Sequence, residues 1–172
     1  MTAIELLLQK LPLIRQWIDM TLKANASYAR PISYYGFQEI PKYFSQDILA
    51  SVKVVEVQKI PVPPLAQIGL NQLGDFEKGD YAGITYLDTY FLLAQEARNE
   101  GLHFHELCHI VQWKCLGFDK FLMAYALGLL QNGYRNSPLE VMAYEYQMMF
   151  EKKIAPFNLE KQIVDKLTNN PI

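Results

Sequence analysis

The stretch from residue 102 to residue 116 constrains this chain most, because it has a helical pattern that is apolar on nearly every side. Its large apolar side chains are Leu102, Phe104, Leu107, Ile110, Val111, Trp113 and Leu116. A helix of this kind runs through the middle of a core. All three histidines of the chain, His103, His105 and His109, fall in the same stretch. Buried polar groups are costly unless they are satisfied, so the fold must supply partners for a polar cluster at its centre.

Two of these histidines form a recognisable metal-binding pattern, His105-Glu-Leu-Cys-His109. At about 100° per residue, the two imidazoles lie only about 40° apart around the helix axis, so both can bind one metal ion. Nitrogen ligands favour zinc over iron or manganese, and a third protein ligand would leave one position for water. Glu106 projects about 100° from His105, where its carboxylate can hydrogen-bond a metal-bound water and serve as the general base.

The third histidine and the two cysteines are not predicted to bind the metal. His103 lies about 200° around the helix from His105, so we predict a surface or capping role for it. It could bind the same ion only if the helix began after it, an alternative that Gly101 leaves open. Cys108 and Cys115 are predicted to be free thiols, because seven residues of helix separate their Cα atoms by about 10 Å, which is beyond disulfide reach.

The third metal ligand is predicted to be a carboxylate downstream of the histidines. Glu140 lies on a polar stripe beside the apolar stripe of a second predicted helix, and we predict it as the ligand. Glu145 borders the same apolar stripe on its other side. In a further alternative, Ser137-Pro-Leu-Glu140 is a capping box, and Glu140 bonds only the Ser137 amide. The remaining carboxylate candidates are Glu151 and Asp119.

Taken together, two segments resemble a known family. They are His105-Glu-Leu-Cys-His-Ile-Val-Gln-Trp113 and Ser137-Pro-Leu-Glu-Val-Met-Ala-Tyr144. They look like the compact bacterial gluzincin-type metallopeptidase domains, in which a second helix supplies a glutamate ligand. The stretch Gly83-Ile-Thr-Tyr86 is similar to the short β element that such domains place before the zinc helix. The resemblance covers about residues 80–150.

This resemblance implies a zinc site and a peptidase activity. It implies His105, His109 and Glu140 as the zinc ligands and Glu106 as the base. Larger gluzincins often place an aspartate four residues after the ligand glutamate, where it orients a histidine. This chain has Tyr144 at that position, so the surroundings of the histidines differ.

Hydrolysis of an amide also needs a hydrogen-bond donor for the developing oxyanion. Tyr144, one helical turn from Glu140, and Tyr134, in the preceding loop, are the predicted candidates. If residues 84–92 form a sheet edge beside the site, an extended peptide could pair with that edge by strand addition.

The pattern of elements predicts an α+β fold. A capping box at Thr2 opens an amphipathic helix that reaches about Lys23 and that Pro12 should kink or divide. Residues 51–60 and 83–93 have strand patterns, and the second should fold as a hairpin at Leu87-Asp88. Gly117 should end the central helix, and two further helices should follow it. We expect a single domain over residues 1–172, mostly helical, with a small antiparallel sheet next to the zinc helix.

Charge and hydropathy exclude several classes of partner. Sixteen lysines and arginines against eighteen acidic residues give a net charge of −2, which argues against nucleic acid or an anionic membrane. The longest apolar run, residues 121–130, is well short of the roughly 20 residues that span a bilayer. The first residues lack the pattern of a secretory signal, so we expect a cytoplasmic location.

These observations lead to one expected function and two alternatives. The expected function is a zinc-dependent metallopeptidase that hydrolyses bonds in a peptide or protein substrate. The first alternative is a catalytically silent, zinc-stabilised interaction or regulatory module on the same scaffold, because the chain has no obvious insertion for a deep cleft. The second is a metal-free helical protein with a chance motif.

Overall fold

The computed structural model describes residues 2–169, which form six α-helices and four β-strands. The helices are α1 (Ala3–Asn25), α2 (Gln46–Ser51), α3 (Gly74–Glu77), α4 (Glu100–Asn132), α5 (Pro138–Glu151) and α6 (Leu159–Asn169). The strands are β1 (Arg30–Pro31), β2 (Lys53–Val57), β3 (Gly83–Tyr86) and β4 (Thr89–Leu93). The predicted α+β class is confirmed. Within the described residues, no helix has both the length and the apolar character that crossing a membrane requires.

The four strands form one mixed sheet in the order β1-β2-β4-β3. The predicted hairpin is present: β3 and β4 are antiparallel, and Leu87 in the turn between them has φ 59°. The sheet is not antiparallel throughout, because β2 and β4 pair in parallel, with Val55 opposite Phe91. The long connection between β2 and β3 returns the chain so that β4 runs in the same direction as β2.

Helix α4 is bent at Gly117, which has φ 73° and ψ 173° inside an otherwise helical run. This positive φ favours glycine, and the break falls where the sequence predicted the end of the central helix. We refer to residues 100–116 as the first part of α4 and to residues 118–132 as its second part. Helix α1, by contrast, continues through Pro12.

The first part of α4 lies between the sheet and the C-terminal helices. On one side, β3 and β4 pack against it, with Thr85 of β3 bonded to Glu106 and the fully buried Tyr90 of β4 bonded to His103. On the other side, Phe104 stacks on Phe150 of α5 with ring centroids 4.3 Å apart. The middle of this helix is therefore enclosed, as its apolar pattern predicted, and its three histidines, Glu106 and Gln112 are buried with it.

Candidate metal centre

Three buried side chains bring their donor atoms together between α4 and α5. His105 and His109 lie one turn apart on α4, and their Nε2 atoms are 3.1 Å apart. Glu140, in the first turn of α5, has Oε2 3.3 Å from His105 Nε2 and Oε1 3.4 Å from His109 Nε2. None of the three side chains is more than 6% exposed. The three residues that the sequence suggested as ligands thus lie around one point.

This arrangement fits a metal ion. Ligand atoms about 2.0–2.2 Å from one tetrahedral ion lie about 3.3–3.6 Å from each other, close to the observed separations. Glu140 Oε2 is buried and has no hydrogen-bond partner, which is costly for a carboxylate oxygen unless a cation satisfies it. His105, His109 and Glu140 therefore form a group that can hold a metal ion.

Gln112 fixes the tautomer of His109. The Gln112 amide nitrogen donates to the Leu139 carbonyl at 3.0 Å, which turns its Oε1 toward His109. That oxygen is 2.8 Å from His109 Nδ1 and can only accept, so Nδ1 carries the proton. In the neutral ring the lone pair then lies on His109 Nε2 and is directed at the shared point, as metal ligation requires.

Tyr125, in the second part of α4, holds the carboxylate of Glu140. Its hydroxyl donates to Glu140 Oε1 at 2.6 Å. Burial and the negative charge of Glu140 raise the pKa of Tyr125 well above its ordinary value, so the phenol keeps its proton. Because Tyr125 occupies Oε1, Oε2 is the carboxylate oxygen left without a protein donor.

The capping alternative for Glu140 is wrong. The Ser137 amide donates to the Tyr134 carbonyl at 3.1 Å, and the Ser137 side chain makes no capping hydrogen bond. Glu140 instead turns inward to the histidines, because the start of α5 lies close against the second part of α4. Gly128 allows this approach: a Cβ at Gly128 would lie 2.6 Å from Ser137 Oγ and 3.0 Å from Pro138 Cδ.

The other three carboxylates that we considered as ligands lie on the surface. Glu145 accepts from Lys166 at 3.4 Å, and Asp119 accepts from Arg15 at 2.9 Å. Glu151 accepts from the Gln147 amide. None of the three lies in the group around the paired histidines.

The charges of the group are strongly coupled. Burial lowers the pKa of His109, but the nearby Glu140 carboxylate raises it more, to about 9. Burial raises the pKa of Glu140, but the two histidines lower it well below its usual range. Glu140 is therefore a carboxylate that needs a positive partner, which a protonated histidine or a metal ion can supply.

Glu106 is buried on the side of α4 that faces β3. Its Oε2 accepts a hydrogen bond of 2.7 Å from the Thr85 hydroxyl. Gly83 leaves the space for this carboxylate, since a Cβ there would lie 2.5 Å from Glu106 Oε1. Burial raises the pKa of Glu106 above its ordinary value, although His105, His109 and Thr85 act in the opposite direction. Glu106 is not one of the three converging residues, but it lines the same cavity as His109 and Glu140.

Both tyrosines that we predicted as oxyanion donors lie beside the metal centre. The Tyr144 ring centroid is 4.5 Å from that of His105. Tyr134 lines the cavity that Glu106 and Glu140 also line, and its ring packs edge-on against Tyr81 at 5.0 Å. Burial raises the pKa of both Tyr134 and Tyr144, so both keep their protons.

His103 faces away from the other two histidines, as predicted, but it is buried rather than on the surface. Its Nε2 is 3.2 Å from the Ala97 carbonyl and must donate to it, so Nδ1 accepts from the Tyr90 hydroxyl at 2.6 Å. Burial lowers its pKa to about 4. The prediction of a surface position failed because the sheet covers this side of α4 with β4.

The β3 edge of the sheet lies beside Glu106, but part of it is already engaged. Trp113 Nε1 donates to the Thr85 carbonyl at 3.1 Å. This carbonyl is therefore satisfied by a side chain of α4 and is not free to pair with an added strand.

Sequence reasoning missed three partners of the centre: Thr85, Gln112 and Tyr125. Gln112 could have been found, because it lies three residues after His109 and so faces the same side of the helix. No sequence pattern around Tyr125 indicates that it contacts Glu140, since its position depends on the bend at Gly117. Thr85 likewise meets Glu106 only through the packing of β3 on α4.

Comparisons with known proteins do not assign this site to a family. No protein-family model matches the chain, and neither the curated proteins nor the solved structures contain a match. What the structure supports is a buried group of His105, His109 and Glu140 in a mostly helical chain, which is consistent with a zincin-like site.

Proposed function

We propose that this protein is a zinc-dependent metallopeptidase. The observation that carries the proposal is the convergence of two imidazole nitrogens and one carboxylate within 3.1–3.4 Å of each other, in a buried group beside a second buried carboxylate. Two histidines and a glutamate are a ligand set that suits catalytic zinc, since they leave a fourth position open. The ligand types favour zinc over calcium or magnesium, which prefer oxygen donors.

Glu106 is the proposed general base. A bound zinc ion would supply Lewis-acid chemistry, lowering the pKa of water and polarising a carbonyl. Glu106 would take the proton of the attacking water and deliver it to the leaving amine. Its raised pKa suits this exchange, and the Thr85 hydroxyl orients its carboxylate.

Tyr134 and Tyr144 are the proposed donors to the substrate oxygen. Both keep their protons, because burial raises their pKa, so each could donate a hydrogen bond to a developing oxyanion. Arg135 lies over the Tyr144 ring at 5.7 Å and adds a positive charge to this side of the site.

The proposal is tested by metal content and hydrolysis together. Purified protein should hold about one zinc per chain by elemental analysis, and it should cleave peptides. Glu106→Gln should keep the zinc and lose at least about a hundredfold in kcat/KM, because a positioned base contributes about 10²–10⁴-fold. His105→Ala should lose both. Absence of any bound transition metal after metal-replete expression would overturn the proposal.

A catalytically silent, zinc-stabilised interaction or regulatory module is the second candidate function, and one observation favours it. His105, Glu106, His109 and Glu140 are each at most 5% exposed, so the site is enclosed. A metal ion enclosed in this way would stabilise the folded chain even without turnover. Full biological function in Glu106→Gln would favour this candidate, whereas loss of function with zinc retained would favour the peptidase.

A further inference from the structure

An apolar cavity adjoins the metal centre. Its volume is about 80 Å³, and Glu106, His109 and Glu140 line one end of it. The rest of the wall is almost entirely aliphatic and aromatic. The described residues that line it include no lysine, no arginine and no aspartate. A small set of polar groups at one end of an apolar pocket is the usual form of a small-ligand site.

Much of the cavity wall comes from outside the segment that carries the metal-site motifs. Helix α1 contributes Leu7, Ile14 and Ile18. The second part of α4 contributes apolar residues from the opposite side, among them Leu122, Ala126 and Leu129. The N-terminal helix therefore shapes the space next to the predicted general base, although it supplies no residue to the metal centre.

Such a space is unusual for a protein interior. Cores pack at the density of organic crystals, and unfilled apolar volume destabilises the folded state. Here the volume lies next to Glu106 and His109 rather than at a random place in the core. This position suggests that a ligand fills it.

We propose that the cavity binds one large aliphatic or aromatic side chain of a peptide substrate, on the residue next to the hydrolysed bond. This proposal rests on the proposed peptidase function and adds its substrate class. Lacking basic residues, the cavity offers no partner to an acidic side chain. Its two carboxylates lie at the end next to the metal centre, and the rest of the wall is apolar and would desolvate a basic side chain.

The volume also limits the size of the ligand. A cavity needs about 10–15 Å³ to hold one water molecule, so the cavity of about 80 Å³ has room for a group of several heavy atoms. We therefore assign the space to a single side chain rather than to a long acyl chain.

Equilibrium binding tests the proposal without relying on turnover. The probes are the hydroxamates of glycine, alanine, leucine and phenylalanine, titrated calorimetrically into the zinc-loaded protein. All four carry the same metal-binding group and differ only in the side chain. We expect the leucine and phenylalanine compounds to bind about ten- to a hundredfold more tightly than the glycine compound, because each buries a large apolar group.

A matched pair of variants locates the effect. Ala126→Leu should fill the cavity and remove the preference for large side chains, with binding of the glycine compound retained. Ala124→Leu is the control, since Ala124 is equally buried on the same helix but does not line the cavity. It should keep the wild-type preference.

If Ala126→Leu fails to fold, a second pair gives the same comparison. Leu129→Ala should enlarge the cavity and weaken binding of the leucine compound several-fold. Leu130→Ala, half-buried like Leu129 but outside the cavity wall, should not.

The outcomes separate the two proposals. If the glycine compound binds but the larger compounds bind no better, the side-chain pocket is wrong and the zinc site stands. The pocket is also wrong if Ala126→Leu or Leu129→Ala leaves the preference unchanged. If no hydroxamate binds the zinc-treated protein, the proposed function fails and the pocket proposal fails with it.

Discussion

At the scale of single residues, the centre depends on side chains outside the two motifs. Gln112 sets the proton on His109, Tyr125 holds one oxygen of Glu140, and Thr85 holds Glu106. Partners of this kind orient ligands and bases, and losing one commonly lowers metal affinity or activity by about 10–100-fold. Each can therefore be tested separately from the residue that it orients.

Removing the hydroxyl of Tyr125 should weaken zinc binding. In Tyr125→Phe, Glu140 Oε1 loses its 2.6 Å donor and the carboxylate becomes free to rotate. We expect the zinc dissociation constant to rise about 10–100-fold, measured by competition with a chromophoric chelator. Tyr43→Phe is the control, because the Tyr43 hydroxyl also makes a single hydrogen bond, to the Ile154 carbonyl. Equal zinc affinity in the two variants would show that Tyr125 does not position Glu140.

Replacing Gly83 by alanine should displace the carboxylate of Glu106, the proposed base, and leave zinc binding unchanged. The new Cβ would lie 2.5 Å from Glu106 Oε1, so the carboxylate must move. We expect Gly83→Ala to keep its zinc and to lose about tenfold or more in kcat. In a Glu106→Gln background the same substitution should have no further effect on turnover, since the displaced group is already inactive. Additive losses would contradict this explanation.

At the scale of elements, the bend in α4 and the close approach of α5 build the centre. The bend at Gly117 directs the second part of α4 so that Tyr125 reaches Glu140. Gly128, one turn further along, lets the start of α5 lie against the same helix. Glu140 is in the first turn of α5, so any shift of this helix start moves the carboxylate relative to His105 and His109.

Replacing Gly128 by alanine should therefore weaken zinc binding, although Gly128 is not a predicted metal ligand. In Gly128→Ala, the Cβ would clash with Ser137 and Pro138 and push α5 outward. We expect the free energy of unfolding to fall by about 1–3 kcal/mol, as for other overpacked sites, and zinc affinity to fall with it. Chemical denaturation and chelator competition measure the two effects.

The control for this prediction is Gly74→Ala at the start of α3. A Cβ at Gly74 meets nothing within 4 Å, and its φ is ordinary for a helix. Its stability should be unchanged or raised by up to about 1 kcal/mol, because alanine favours helix over glycine. If Gly128→Ala behaved in the same way, the close contact would not govern the position of α5.

At the scale of the whole molecule, the centre connects parts that lie far apart in the chain. The two histidines belong to the helix that packs on the sheet, whereas Glu140 belongs to α5. A metal ion bound by all three would join these elements in the folded state only. Metal binding should therefore appear as stability of the whole chain.

Removing zinc should lower the melting temperature. At free zinc 100 times its dissociation constant, binding adds about 2.7 kcal/mol to the folded state, which corresponds to about 5–11 °C in Tm for a chain of this size. Differential scanning calorimetry with and without a chelator measures this shift, and His105→Ala should show none. An unchanged wild-type Tm would favour the metal-free alternative.

The sequence predicted correctly those features that depend on residues close together in the chain. It failed for some features that depend on residues far apart in the chain. The helical spacing of His105 and His109 follows from 3.6 residues per turn, and the hairpin at Leu87-Asp88 and the break at Gly117 follow from local backbone preferences. The surface position predicted for His103 was wrong because helical periodicity does not say which element covers each side of a helix. The parallel pairing of β2 with β4 was missed because it depends on the path of a long connection.

The sequence by itself determined that one buried helix carries two histidines on one face with a glutamate beside them, because the helix repeat fixes their relative directions. Only the tertiary structure decided between Glu140 as an inward-facing carboxylate and Glu140 as a helix cap, since both fit the pattern Ser137-Pro-Leu-Glu140. It also brought Tyr125 to Glu140 and Thr85 to Glu106, and it placed α1, which forms part of the cavity wall, beside Glu106. The physical reason is that local spacing sets direction along one element, whereas the distance between elements is set by how their side chains pack.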